Sequence, residues 1–84
     1  KAAVTLFSTN HGLHAANAMS LDRAASEYQC KITLESSKGT ADCKNVLSLM
    51  SLGAKQGDSL VLTADGPDEK QAMGYLSGIL RTIL

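Results

Sequence analysis

The sequence is poor in most of the features that mark binding sites for nucleic acid or membranes. It has no tryptophan, one phenylalanine and two tyrosines, so the core of its 84 residues must be built from aliphatic side chains. Eight basic and eight acidic side chains cancel, and no basic stripe is visible, which argues against nucleic acid as the main partner. No apolar run approaches the roughly 20 residues that span a bilayer. We expect a single small domain over residues 1–84.

Cysteine is scarce as well. Cys30 and Cys43 fall on the two arms of one predicted hairpin, where reduced and mostly buried thiols are the favoured interpretation and a disulfide stays open as the alternative. Two cysteines and two distant histidines do not readily supply a zinc site, so we expect no metal and no cofactor. No charged-then-apolar leader precedes the first apolar segment, and we expect a cytoplasmic protein.

The hydrophobic pattern predicts the order strand, helix, two strands, helix, strand, helix. A strand is expected over residues 2–7, a helix up to about Tyr28, a strand around Ile32 with a return strand over 40–43, and a clear strand over 59–64. Asn45 is predicted to cap the second helix and Gly53 to end it. The last helix is predicted to start within residues 65–69, with Pro67 in its first turn. Such a chain most simply forms one antiparallel sheet with helices on one face.

The stretch from Asn10 to Ala18 is the most informative part of the sequence. Asn10 and Gly12 are turn residues, and His14 falls at or beside the N-cap of the first predicted helix. Small side chains follow His14 and leave the first backbone N–H groups of the helix uncovered. An imidazole held over these amides can carry a phosphoryl group, because a ring nitrogen is the nucleophile and the helix end receives the anionic oxygens.

Two motifs also resemble a known family. Gly12-Leu13-His14-Ala15 resembles the active-site motif of HPr, the histidine-containing phosphocarrier of the bacterial sugar phosphotransferase system, and residues 44–53 resemble its second motif. The resemblance covers essentially the whole chain. It implies an α+β, two-layer open-faced sandwich of the order βαββαβα. Its four-stranded antiparallel sheet would have the order 1-4-2-3, with three helices on one face.

The resemblance also implies a function. His14 would accept a phosphoryl group from enzyme I and pass it to the IIA domains of sugar permeases, through the ring nitrogen nearer the backbone. The phosphate would be held at Ala15, Ala16 and Asn17. The partner proteins would dock on the side of the molecule that carries the histidine loop and the second helix, at Asn45, Leu47, Ser48, Met50 and Ser51. A monomer without membrane insertion is expected.

Four residues depart from the family pattern. Ala16 replaces the usual arginine, Asn17 a proline, Asp22 an aliphatic residue, and Asn45 a serine that a regulatory kinase phosphorylates in many members. A hydrogen bond to a charged group contributes about 1.5–3 kcal/mol, so the missing guanidinium should slow transfer roughly ten- to a hundredfold. Asparagine cannot be phosphorylated, so the regulatory switch should be absent. Arg23 is too far along the helix to serve as a convincing substitute.

Other interpretations stay open. His14 would be a mere helix-capping residue if it stood alone, and His11 is better explained as an ordinary loop residue. Leu47 and Met50 suit a core or a docking surface about equally. The main competing function is a degenerate or site-altered HPr-like protein that docks partners without efficient phosphotransfer. A free-standing enzyme has little support, because one candidate nucleophile stands without an acid–base pair.

Overall fold

The seven predicted elements occur in the predicted order in the computed structural model, which describes residues 1–8 and 12–84. Strands and helices alternate along the chain in the βαββαβα order that the resemblance implied. Their bounds are β1 Ala2–Phe7, α1 Ala15–Ala25, β2 Lys31–Ser36, β3 Gly39–Asp42, α2 Val46–Ser51, β4 Ser59–Asp65 and α3 Glu69–Ile83.

The strands form one antiparallel sheet in the order β1-β4-β2-β3, which confirms the expected topology. β4 lies inside the sheet, where Leu62 is opposite Val4 on one side and Leu34 on the other. Because side chains alternate along a strand, these apolar residues point to one face and the threonines point to the other. The sheet therefore has one covered face and one open face.

The helices pack on the covered face and close a core between the two layers. α3 lies against β1 and β4, α2 lies against β3, and α1 contacts both other helices. The core is aliphatic, as the shortage of aromatic residues required. Its largest fully buried hydrophobic side chains are Leu21, Ile32, Leu34, Leu49, Leu60, Leu62, Leu76, Leu80 and Leu84, with Cys30 and Cys43 among them. Both cysteines are free thiols.

Two predicted boundaries differ from the structure. The first helix was expected to reach Tyr28, but α1 ends at Ala25. The chain then tightens, because the N–H of Glu27 donates to Ala24 and that of Tyr28 to Ala25, which are three-residue rather than four-residue steps. The return strand was expected over 40–43, whereas β3 is Gly39–Asp42, shifted by one residue.

The start of α3 also differs from the prediction. Asp68 is the N-cap and Glu69 the first helical residue, so Pro67 lies before the helix rather than in its first turn. The Asp68 carboxylate makes no side-chain cap bond. Its two oxygens accept instead from the backbone N–H groups of Gln29, at 2.8 Å, and Cys30, at 2.9 Å. Asp68 therefore joins α3 to the segment before β2.

Asp68→Asn should lower the melting temperature at neutral pH, because its amide NH₂ would face a backbone donor. The N–H of Gln29 is the main reason that the pKa of Asp68 lies below its usual value. A carboxyl whose pKa is lower in the folded state stabilises the fold above its unfolded pKa, near 4, and loses that effect as the pH falls further. Melting curves of both proteins should therefore differ at pH 7 and converge well below pH 4; a constant difference would contradict this role.

Candidate functional site

His14 is the N-cap of α1, as the sequence predicted. Its backbone is extended, with φ −127° and ψ 176°, and its carbonyl accepts the first helical hydrogen bond from the N–H of Ala18 at 2.9 Å. The side chain is exposed. His14 and Asn17 occupy the two positions of a capping box, in which the Asn17 side chain accepts from the backbone N–H of His14. The ring therefore lies at the amino end of the helix, where partial positive charge accumulates.

Of the two ring nitrogens, Nδ1 is the one with the reach of an N-cap side-chain atom. In histidine, Nδ1 is as many bonds from Cα as the side-chain oxygen of aspartate or asparagine, which are common N-cap residues. The N–H groups of Ala15 and Ala16 are among the first of the helix and have no partner within it. Among the described residues, neither group donates a hydrogen bond. Both alanines are exposed, so an anion from solvent can approach these amides.

Asn17, which stands where the resembling family has proline, forms hydrogen bonds with residues 12–14, which we call the histidine loop. The side chain is 7% exposed. Its Oδ1 accepts from the backbone N–H of His14 at 2.7 Å, and its Nδ2 donates to the carbonyl of Gly12 at 2.9 Å. One amide thus ties together the residues on either side of Leu13 and fixes the backbone of His14. A phosphate contact at Asn17 would have to use its backbone N–H, because both ends of the side chain are engaged.

Gly12 allows the histidine loop to approach the segment after α2. The N–H of Leu13 donates to the carbonyl of Ala54 at 3.2 Å. A Cβ on Gly12 would lie 1.9 Å from that carbonyl oxygen and 2.8 Å from the Cα of Lys55, closer than atoms can pack. Only glycine fits this contact without a shift of the backbone. The sequence marked Gly12 as a turn residue, whereas the close approach of two distant backbone segments is the stronger requirement.

Gly12→Ala should therefore destabilise the protein by about 1–3 kcal/mol, the usual cost of forcing an atom into packed structure. Chemical denaturation measures this directly. Gly74→Ala is the matched control, because Gly74 lies in α3 and a Cβ there meets nothing within 4 Å. The control should gain up to about 1 kcal/mol of helix stability. Equal stability of the two variants would contradict the role assigned to Gly12.

No guanidinium lies beside His14 on its own helix. Ala16 contributes only a methyl group to a shallow groove of about 300 Å³ whose walls also include His14, Ser20 and Thr82. Arg23 is nine residues from His14, or about 13 Å along the helix axis. Asp22, the second departure in α1, is partly buried, and its Oδ1 accepts from the hydroxyl of Ser26 at 3.2 Å.

The predicted docking residues of α2 fall into two groups. Asn45 is the N-cap, as expected, and its side chain accepts from the N–H of Ser48 at 3.1 Å. The Ser48 hydroxyl in turn accepts from the N–H of Asp42 at 3.0 Å, and the Ser51 hydroxyl donates to the Ser48 carbonyl at 2.8 Å. These polar side chains hold α2 in place. Docking through them stays a prediction.

The apolar members of that set are exposed. Leu47 is 78% and Met50 43% accessible, so neither is a core residue. Met19 of α1, which the sequence did not single out, is 51% accessible and shares the wall of a cavity with Val46 at the start of α2. Because Leu13 is hydrogen-bonded to Ala54, just after α2, the histidine loop adjoins the end of this helix. We call Met19, Leu47 and Met50 the apolar patch.

Clusters of metal ligands and membrane-spanning helices are absent from the described residues. Within 1–8 and 12–84, no three histidine, cysteine or acidic side chains lie close enough together to hold a metal ion. Across the same ranges, every helix is too short or too polar to cross a bilayer. His11 lies outside the described residues, so its predicted role as an ordinary loop residue stays a prediction.

Fold and site together define a class of protein: a small open-faced sandwich that presents a histidine at the amino end of its first helix. The family described as the phosphorylation site of the PTS HPr component matches residues 3–82. The chain therefore belongs to the HPr family.

Relatives with similar levels of sequence identity to this chain confirm this assignment. The phosphocarrier protein HPr of Haemophilus influenzae is 32% identical over 74 residues, which cover 88% of this chain and 87% of the relative. HPr of Mycoplasma pneumoniae is 33% identical over 70 residues, covering 82% and 80%. The crystal structure of HPr from Thermoanaerobacter tengcongensis superposes with a TM-score of 0.90 at 31% identity, covering 98% and 93%.

Proposed function

We propose that this protein is a working phosphocarrier that accepts a phosphoryl group on His14 from enzyme I and passes it to IIA domains of sugar permeases. The observation that carries the proposal is the exposed imidazole of His14 at the amino end of α1, beside the uncovered N–H groups of Ala15 and Ala16. Membership of the HPr family supports the same chemistry. The reaction would take place in the cytoplasm, with the carrier as a monomer.

Phosphoryl transfer requires one nucleophile and groups that stabilise the negative charge of the phosphoryl oxygens. The lone pair of Nδ1 forms a bond to phosphorus while the bond from phosphorus to its donor group on enzyme I breaks, and that electron pair returns to the donor. The phosphoryl oxygens then meet the first amides of α1 and the positive end of the helix dipole. Transfer to a IIA domain is the reverse displacement, with His14 as the leaving group. No proton donor or other co-reactant is needed.

Partner docking would use the apolar patch. Large apolar side chains that stay exposed in a small monomer commonly mark protein–protein contacts. Methionine suits a surface that meets more than one partner, because its flexible and polarisable side chain adapts to different shapes. Enzyme I and the IIA domains would bind the same surface in turn, with the histidine loop at its edge. Asn45, Ser48 and Ser51 would then form the polar rim around these apolar contacts.

A second function is favoured by one observation, the methyl side chain of Ala16 at the arginine position. Without the guanidinium, this chain would be a site-altered family member that docks on partners and transfers little phosphate. Asn45 at the regulatory serine position removes a phosphorylation site but still caps α2. Both functions share the docking surface, so they differ only in whether His14 is labelled.

Labelling decides between them. The purified protein is incubated with enzyme I and radiolabelled phosphoenolpyruvate, and the product is tested for stability in acid and base. A phosphocarrier should acquire about one phosphate per chain that is lost in acid and kept in base, as expected for phosphohistidine. Absence of label, when an HPr from another organism is labelled under the same conditions, would contradict the proposal and favour the site-altered alternative.

A further inference from the structure

We infer that Lys55, from a segment distant in sequence, provides the positive charge beside phosphorylated His14 that the first helix lacks. This inference rests on the proposed function and adds to it a residue that the family motifs do not indicate. It follows from three observations: the contacts that hold residues 54–58 against the histidine loop, the position of Lys55 within that segment, and the placement of the other cationic side chains.

Residues 54–58 are hydrogen-bonded to Ser8, which precedes the histidine loop, and to Leu13 within it. Before the loop, the N–H of Ser8 donates to the carbonyl of Asp58 at 2.9 Å, and the N–H of Gly57 donates to the carbonyl of Ser8 at 2.6 Å. Within the loop, the N–H of Leu13 donates to the carbonyl of Ala54 at 3.2 Å. Residues 54–58 are therefore fixed directly beside the backbone of Leu13, the residue before His14.

Lys55 directly follows the point of closest approach, which is the carbonyl of Ala54. The Cα of Lys55 is 2.8 Å from the place a Cβ on Gly12 would occupy. His14 is two residue steps from Gly12, at most about 7 Å of chain, and an extended lysine side chain reaches roughly 6 Å from its Cα. The Lys55 side chain is exposed, and no carboxylate of the described residues pairs with its ammonium group. The ammonium is thus able to reach a phosphoryl group on the imidazole.

The nearest acidic residue in sequence, Asp58, forms no ion pair with Lys55 among the described residues. One oxygen of the Asp58 carboxylate accepts from the backbone N–H of Lys55 at 2.9 Å. The same bond fixes the turn that displays the lysine. A lysine ammonium is a compact point charge on a flexible stem, so it can follow the phosphoryl group without the fixed geometry that a guanidinium requires.

The other cationic side chains are badly placed or already engaged. The ammonium groups of Lys38 and Lys44 donate to the carbonyls of Gly53 and Tyr28, at 3.0 and 2.6 Å. Arg23 is near the far end of α1, and Lys70 is at the opposite end of α3 from the groove beside His14. Arg81 is closer to that groove but shares a helix face with Ser77 and Gly78, not with the groove residue Thr82. Lys1 and Lys31 line a cavity with residues of the sheet, away from His14.

The test uses phosphoramidate as the phosphoryl donor, so that docking of a partner protein cannot contribute to the rate. The bond from phosphorus to the phosphoramidate nitrogen breaks, ammonia leaves, and a bond from phosphorus to His14 forms. Lys55→Met keeps the stem and removes the charge. It should slow labelling about fivefold and Lys55→Arg should restore the rate, whereas Lys70→Met, which removes the same charge elsewhere, should leave it unchanged. Added salt should reduce the difference between wild type and Lys55→Met, because screening weakens exposed charges.

The outcomes separate the two proposals. Equal rates for Lys55→Met and Lys70→Met would overturn the inference and leave the phosphocarrier function intact. So would a loss seen only with enzyme I as donor, which would make Lys55 a docking residue, or a loss seen in Arg81→Met instead. Conversely, a Lys55 effect with phosphoramidate in a protein that takes no label from enzyme I would support the inference while the phosphocarrier proposal fails.

Discussion

Replacing His14 by asparagine should abolish phosphoryl labelling while the protein stays folded. Asparagine is a good N-cap residue, and its side-chain oxygen takes the place of Nδ1 over the amides of α1. It has no nucleophilic nitrogen, because its amide nitrogen is not basic. Labelling with enzyme I and phosphoenolpyruvate should therefore fall below detection, while the melting temperature changes little. The variant separates the chemistry of His14 from its role at the helix end.

Two further variants complete this test. His14→Ala should also lose the label, and it should be less stable by about 0.5–2 kcal/mol if the side chain caps α1. His11→Ala should keep the label. Label that persists in His14→Asn and disappears in His11→Ala would show that the nucleophile has been assigned to the wrong histidine.

Replacing Ala16 by arginine should speed labelling by roughly ten- to a hundredfold. The position is exposed and lines the groove beside His14, so a long side chain can be accommodated. A guanidinium binds phosphate oxygens through charge-assisted hydrogen bonds, and about 1.4 kcal/mol corresponds to a factor of ten in rate. The initial rate at limiting enzyme I measures the effect. Ala16→Gln is the control, because it adds a polar side chain without charge.

The effect of Ala16→Arg on the labelling rate should depend on Lys55. If both cations contact one phosphoryl group, Ala16→Arg should make the protein less sensitive to Lys55→Met, and the effects of the two changes should not add. An unchanged rate in Ala16→Arg would mean that the charge is already supplied. Equal acceleration by Ala16→Gln would attribute the gain to something other than the guanidinium.

Local patterns were enough to predict the order of the helices and strands. The hydrophobic pattern placed β2 around Ile32, and Asn45 capped α2 as expected. The strand order, however, came from the resemblance and not from periodicity. His14 was placed at the N-cap because a glycine turn followed by small residues is a local signal, which depends only on neighbours in sequence.

The features that the sequence did not predict are contacts between distant segments. Local capping rules do not predict the contacts of Asp68, because its carboxylate accepts from two backbone N–H groups nearly forty residues earlier in the chain. The Gly12–Ala54 approach and the position of Lys55 are of the same kind. The resemblance placed Asn17 at the phosphate, but the backbone of Gly12 and His14 engages both ends of its side chain. Single-sequence patterns carry no information about such pairings.

The buried sulfur atoms have a practical consequence. Both thiols lie within the core, and burial raises the pKa of Cys43 to about 12, so little thiolate forms at neutral pH. A thiol-directed reagent can modify them only when the two layers separate, since the thiolate is the reactive species. The rate of cysteine modification under native conditions is therefore a direct gauge of how often this small sandwich opens.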